Sequence, residues 1–205
     1  MEIEVKKSVK LVDYGKAIKI LNKRVKDVIN RKKPELLWIL EHGPIFTAGS
    51  SYKENEILNK NIKLIKTSRG GKVTYHGPGQ KIVYFVLNLN NREKDIRKLI
   101  KKIENCIILI LKDFKIKSFA DRKNIGIWVK VKKKSMKVAA IGIRVKRWVA
   151  YHGFSINIKN ELEVYKNIVP CGIYNKGVTN LVRVKKGGYK NINEIIIKNF
   201  LKIFK

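Results

Sequence analysis

From Ile116 to Ile158 the chain offers strands and no helix. The apolar, β-branched runs Ile116–Ala120, Ile125–Val131, Lys137–Val145 and Trp148–Ile158 follow one another, with Lys132–Ser135 as a turn between the second and third. Four successive strands exclude strict alternation of strand and helix, so a doubly wound parallel sheet is out of reach for this segment. Helical spacing appears elsewhere. Tyr14–Val28 carries Ala17, Ile18, Leu21, Val25 and Val28 at three- and four-residue steps. Asp95–Phe114 puts Ile96, Leu99, Ile100, Ile103, Ile107, Ile110, Leu111 and Phe114 on one stripe, and Ile192–Phe204 closes the chain as an amphipathic helix capped by Asn191. Glu2–Val12, Glu35–Glu41, Ile62–Thr67 and Lys81–Leu89 read as further strands, and Glu161–Lys166 as a short helix. Runs of strands interspersed with a few helices predict an α+β fold. With 205 residues and no linker or repeat, one domain covers 1–205.

One stretch is too rich in glycine for an ordinary turn. Arg69–Gln80 (RGGKVTYHGPGQ) holds four glycines and a proline between two apolar runs. That density predicts a loop that lets a ligand approach the backbone, with Arg69, Thr74 and His76 as polar contacts. No Gly-Lys-Ser/Thr follows, and strand residues rather than a helix come after Gln80, so neither a Walker loop nor a dinucleotide fingerprint fits. A second glycine-bearing turn spans His42–Gly49.

The net charge is +31, with 47 Lys and Arg against 16 Asp and Glu. Nucleic-acid binding predicts basic clusters interleaved with aromatics; here the excess is nearly all lysine and is dispersed. With isoleucine and asparagine also abundant, codon bias toward AT explains it. Such a surface attracts acidic protein partners. Met1–Lys10 lacks the apolar core of a signal segment, and the most apolar stretch, Ile107–Leu111, cannot span a membrane. Two cysteines are too few for a disulfide framework and suit a cytoplasmic protein. The three histidines lack zinc spacing, so no metal is expected.

Cys106 falls on the helical stripe and reads as an inert packing residue. Cys171 differs: it lies between Pro170 and Gly172, off any periodicity, where a thiol is presented rather than packed, although a lone loop cysteine is often incidental. As a nucleophile it needs a cation, base or helix end beside it. Lys137 opens the small apolar run Val138–Ile143; a lysine against apolar surface serves as a base or as the cation beside a thiolate, whereas a strand-edge lysine is simply solvated. His76 and His152 each precede a glycine and suggest a shared site floor.

Taken together, Arg69–Gln80, Lys137–Asn157 (KVAAIGIRVKRWVAYHGFSIN), Val169–Ile173 (VPCGI) and Val178–Leu181 resemble the lipoyl(octanoyl) transferase family, with the weaker block Trp38–Gly49 in support. The resemblance runs from Leu36 to Leu181. It implies a mixed sheet flanked by helices, shared with biotin- and lipoate-protein ligases. It also implies transfer of an octanoyl group from acyl carrier protein to a lysine of lipoyl domains, in 2-oxoacid dehydrogenase complexes and the glycine-cleavage H protein. By the same resemblance Cys171 is the acylated nucleophile, and Lys137 lowers its pKa or acts as general acid–base. Substrate contacts fall on Arg69, Gly70, Gly71, Lys72, Val73, Thr74, Tyr75 and His76, on Ala140, Ile141 and Gly142, and on Gly153, Phe154 and Ser155. Ile141, Phe154 and Val73 are candidates for the acyl channel, and glycine N–H groups near Cys171 or in Arg69–Gly79 for the oxyanion. No cofactor is implied, since a thioester is already activated; a monomer is expected. Departures are the heavy lysine load and Gly49-Ser50-Ser51. The rival on the same fold, an ATP-dependent lipoate or biotin ligase, would have no need of Cys171 beside Lys137.

Overall fold

The computed structural model describes residues 2–173 and 176–205. Its centre is a seven-stranded sheet in the order β1-β2-β6-β10-β9-β8-β7. The strands are β1 (Ile3–Lys7), β2 (Glu35–Leu40), β6 (Gln80–Asn88), β7 (Ser118–Ala120), β8 (Ile127–Val131), β9 (Lys134–Lys146) and β10 (Val149–Asn157). β1 and β2 pair in parallel and the others antiparallel, so the sheet is mixed. A smaller sheet, β4-β3-β5, comprises β3 (Ile45–Ala48), β4 (Leu64–Lys66) and β5 (Val73–His76).

Both faces of the large sheet are covered, which is why Glu35–Leu40 is buried along its whole length. On one face Leu37, Ile39, Val83 and Phe85 pack against helices α2 (Ile96–Asp113) and α4 (Ile192–Phe204). On the other Leu36, Trp38, Leu40, Ile82 and Val86 pack against Ala17, Leu21, Val25 and Val28 of helix α1 (Tyr14–Ile29). Asp13 caps α1 by accepting from the Lys16 amide at 2.8 Å, and Asp95 caps α2 through the amides of Arg97 and Lys98. Cys106 is wholly buried in α2, and burial pushes its thiol up to about 12, as an inert core residue requires. No helix among the described residues is long and apolar enough to cross a membrane.

The departures from the sequence reading are local and have physical causes. His42–Gly49 is not only a turn, because Ile45–Ala48 is β3. Arg69–Gln80 is likewise interrupted by β5, which pairs with β3. β1 is shorter than Glu2–Val12. The hairpin between β8 and β9 turns on Lys132 and Lys133 alone, at φ of 45° and 66°, so β9 starts three residues early. Arg147 and Trp148 turn the next hairpin in the same way. Residues that seldom take left-handed backbone form both turns, so the turn expected at Lys132–Ser135 is present but tighter than its sequence bounds. Glu161–Lys166 is a 3₁₀ turn at Glu163–Asn167, and Asn191 makes no side-chain cap bond. A one-turn helix, α3 (Leu181–Val184), was not anticipated; Asn180 caps it through the Arg183 amide.

Candidate active site

Two segments remote in sequence meet at the middle of β9. Lys137 donates its amide to Gly177 O at 2.9 Å, and Thr179 donates to Lys137 O at 2.9 Å, so the chain just after Cys171 runs parallel to β9 at Val178. An irregularity in the pairing of β8 with β9 sets Lys137 opposite Trp128. The lysine is 5% exposed; its Nζ donates to Ile125 O at 2.9 Å and lies 4.9 Å from the centre of the Trp128 ring.

Cys171 sits on a 3₁₀ turn, Pro170–Gly172, with φ 56° and ψ 19°, a left-handed conformation that is strained for a residue with a side chain. The turn is anchored. Val169 donates to Glu56 O at 2.7 Å, and Gly172 donates back to Val169 O at 2.9 Å. Beneath it the buried Glu56 carboxylate meets Lys72 Nζ at 2.6 Å.

Cys171 and Lys137 both line a cavity of about 570 Å³, a size usual for small-molecule sites. Arg69, Gly70, Gly71, Lys72, Thr74 and His76 form one wall; Ala140, Ile141, Gly142, Gly153, Phe154 and Ser155 form the floor. Val73 and Tyr75 do not line it. They point to the opposite face of β5 and pack with Ala48, Tyr165 and Ile168, so Val73 is not part of an acyl channel. The apolar wall is supplied instead by Ile96 and Ile100 of α2, Ile125, Ile143 and Ile82, beside Ile141 and Phe154. Sequence reasoning missed the two α2 residues because they belong to a stripe that reads as core. Among the proposed oxyanion donors, Gly70, Gly79 and Gly172 donate their N–H groups inside the protein, to Ile143 O, Glu41 Oε2 and Val169 O.

A buried polar cluster backs the floor. His42 Nδ1 lies 2.7 Å from Val12 O and Nε2 2.9 Å from the Tyr84 hydroxyl. A carbonyl only accepts, so Nδ1 carries the proton and Nε2 accepts from Tyr84. His76 Nδ1 donates to Gln80 Oε1 at 2.7 Å, and Gln80 Nε2 donates to Asn157 Oδ1 at 2.8 Å. Neither His42 nor Tyr84 stood out as a site residue in the sequence, since His42 opens a glycine-bearing turn and Tyr84 sits in an apolar run. Among the described residues no group of three or more His, Cys, Asp or Glu is arranged to hold a metal.

These environments fix a pH response. Burial first, then the Arg69 charge, push His76 down to about 3 and His152 to about 4. An unfolded imidazole titrates near about 6.5, so below that pH the unfolded chain binds more protons and stability falls. The melting temperature should therefore drop as pH falls from about 6.5 to about 4. His152→Asn, which suits the φ of 69° and does not titrate, should flatten that drop. Parallel curves for the two proteins would contradict the assignment.

The model of the family described as "Lipoyl protein ligase A/B catalytic domain" matches residues 13–201. The chain belongs to that family. Within it, the octanoyltransferase of Rickettsia canadensis (strain McKiel) is 45% identical over 201 residues, spanning 95% of both chains. The octanoyltransferase of Anaplasma phagocytophilum (strain HZ) is 42% identical over 207 residues and covers 100% of both. In structure, the bipartite lipoate protein ligase of Thermoplasma acidophilum superposes with a TM-score of 0.71 at 13% identity, covering 99% of this chain and 84% of its own. That likeness establishes the α+β ligase-type fold, with its mixed sheet between helices.

Proposed function

We propose that this acyltransferase moves an octanoyl group from octanoyl-acyl carrier protein to a specific lysine of lipoyl domains, through a thioester on Cys171. The acceptors are lipoyl domains of 2-oxoacid dehydrogenase complexes and the glycine-cleavage H protein. The observation that carries this reading is the shared cavity: a cysteine on a strained turn and a buried lysine, brought together by the pairing of Gly177–Thr179 with β9. Identity of 42–45% to octanoyltransferases supports the choice of acyl group.

The steps balance without ATP. The Cys171 thiolate attacks the thioester carbonyl; the carrier's C–S bond breaks, and its sulfur takes a proton from the Lys137 ammonium. The acceptor amine then attacks the acyl-enzyme. The bond between the octanoyl carbonyl carbon and Cys171 Sγ breaks, the electron pair returns to sulfur, and the amine's proton goes to neutral Lys137. The net products are a free carrier thiol and an amide. Ile96, Ile100, Ile141 and Phe154 offer the acyl chain an apolar wall, worth about 0.8 kcal/mol per buried CH₂. The dispersed lysine surface suits two acidic partners, and a free thiol suits a reducing cytoplasm.

Intact-protein mass spectrometry after incubation with octanoyl-acyl carrier protein should show one octanoyl group added to the wild type and none to Cys171→Ala. An unmodified wild type, or the same adduct on the variant, rejects the acyl-enzyme.

A further inference from the structure

Arg69 is a buried cation without an anion. It is 9% exposed, and among the described residues no carboxylate lies within salt-bridge distance of it. The two other arginines that are not solvent-exposed are matched: Arg24 meets Glu4 at 2.8 Å and Arg92 pairs with Glu35. Arg69 instead donates Nη2 to Thr47 O and Oγ1, both at 2.8 Å, and Nη1 to Gly70 O at 3.1 Å. Its Nε is buried with no partner. These bonds fix the guanidinium but do not neutralise it.

The glycines of this region are built around that group. A Cβ on Gly49 would stand 2.8 Å from Arg69 Nη1, one on Gly71 3.7 Å from it, and one on Gly142 3.4 Å from Arg69 Cδ. The nearer obstacles at Gly49 and Gly142 are the backbone oxygens of Gly71 and Gly70, at 2.2 Å and 3.0 Å, so Arg69–Gly71 is packed closely against both glycines and the arginine is enclosed with it. A buried charge this enclosed is costly unless something answers it.

Among the described residues, His76 from β5, Tyr84 from β6, His152 from β10 and Cys171 line the same cavity as Arg69, and Tyr14 from α1 is close enough to feel its charge. Arg144, exposed on β9, adds only more positive charge beside His152. Burial raises Tyr14 and Tyr84, so their hydroxyls stay neutral, and both imidazoles are neutral too. Among the described residues that leaves Cys171, which lines the same cavity as Arg69 and whose deprotonated sulfur would carry the missing negative charge.

We infer that Arg69 is the buried counter-charge of the Cys171 thiolate, a second cation beside Lys137 that acts through the sulfur rather than on the substrate. This rests on Cys171 being the nucleophile. Acylation removes the negative charge from sulfur and leaves Arg69 unanswered again; breaking the C–S bond in the second step restores it. The same guanidinium therefore favours the thiolate both as attacking and as leaving group. Lys137 is left free to carry protons, while Arg69 never gives its proton up.

The test is iodoacetamide labelling of Cys171 across pH, read by intact mass, with Cys171→Ala reporting any background from Cys106. In Arg69→Gln the pH of half-maximal labelling should rise by about one or more, with roughly tenfold slower labelling at neutral pH. Arg69→Lys should follow the wild-type curve. The melting temperature of Arg69→Gln should fall by no more than a few degrees, since the loss of the bonds to Thr47 and Gly70 is offset by removal of a buried charge that has no carboxylate. A superimposable curve for Arg69→Gln, or a curve for Arg69→Lys moved as far, overturns the inference. So does failure of both Arg69→Gln and Arg69→Met to fold, because a counter-charge for a thiolate is dispensable for folding. An unmoved curve on a protein that still takes the octanoyl adduct removes this inference alone. A moved curve on a protein that takes no adduct removes the acyl-enzyme alone.

Discussion

Lys137→Met should slow octanoyl transfer by about 10²–10⁴-fold, the usual worth of a positioned general acid–base. Methionine retains the apolar stem that crosses the face of Trp128 and loses only the ammonium and its bond to Ile125 O. The melting temperature should therefore hold or rise, since a nearly buried charge is being removed. Loss of activity with retained stability separates chemistry from folding. Lys137→Arg should not rescue. Lys137 Nζ is seated as a point charge, 2.9 Å from Ile125 O and 4.9 Å from the Trp128 ring centre, a geometry that a longer, planar guanidinium does not reproduce. A guanidinium also keeps its proton at every working pH. The measurement is single-turnover transfer from octanoyl-acyl carrier protein to a lipoyl domain. A loss smaller than about tenfold for Lys137→Met would leave Lys137 a structural residue.

Where side-chain period or composition determined local structure, the sequence was readable. The stripes of α1, α2 and α4 and the apolar runs of β2, β6 and β10 were located to within a few residues. What escaped reading depended on tertiary context. The turn expected at Lys132–Ser135 closes on Lys132-Lys133 alone, and Arg147-Trp148 turns the next hairpin without glycine or asparagine, because the long antiparallel pairings of β8, β9 and β10 hold those residues at positive φ. β3 and β5 lay concealed in glycine-bearing segments because each is four residues long and finds its partner across a gap in sequence. Cys171 and Lys137 stood out by context alone, one off any period and the other at the head of a small apolar run. Nothing local announced that Gly177–Thr179 would lie beside β9 and bring the two into one cavity. Arg69 was legible as a polar residue among glycines. Its lack of a carboxylate partner is a property of the packed fold.

Gly153→Ala should be the most damaging single methyl in the protein. Gly153 lies mid-strand in β10, between Tyr84 of β6 and Gly142 of β9 in register, at φ +157° and directly after His152 at φ 69°. A Cβ there would stand 1.9 Å from Val83 O and 3.3 Å from Phe85 Cδ1. Neither neighbour can yield: Val83 and Phe85 are fully buried in the interior strand β6, under α2 and α4. Overpacking together with backbone strain sets the cost at roughly 3–5 kcal/mol, a large part of the about 5–15 kcal/mol that holds a domain together. The melting temperature should fall by about 10 °C or more, if soluble protein is obtained at all. Gly43→Ala is the matched control, since nothing lies within 4 Å of its added carbon. The floor of the cavity follows the same geometry. His152, Gly153 and Phe154 line it because the strand departs there from regular extended backbone, so a Gly153→Ala protein that does fold should label Cys171 normally yet transfer octanoyl poorly. A variant that melts within about 2 °C of the wild type and transfers at its rate would show that β6 gives way, and that the kink at His152-Gly153 is not what shapes the site.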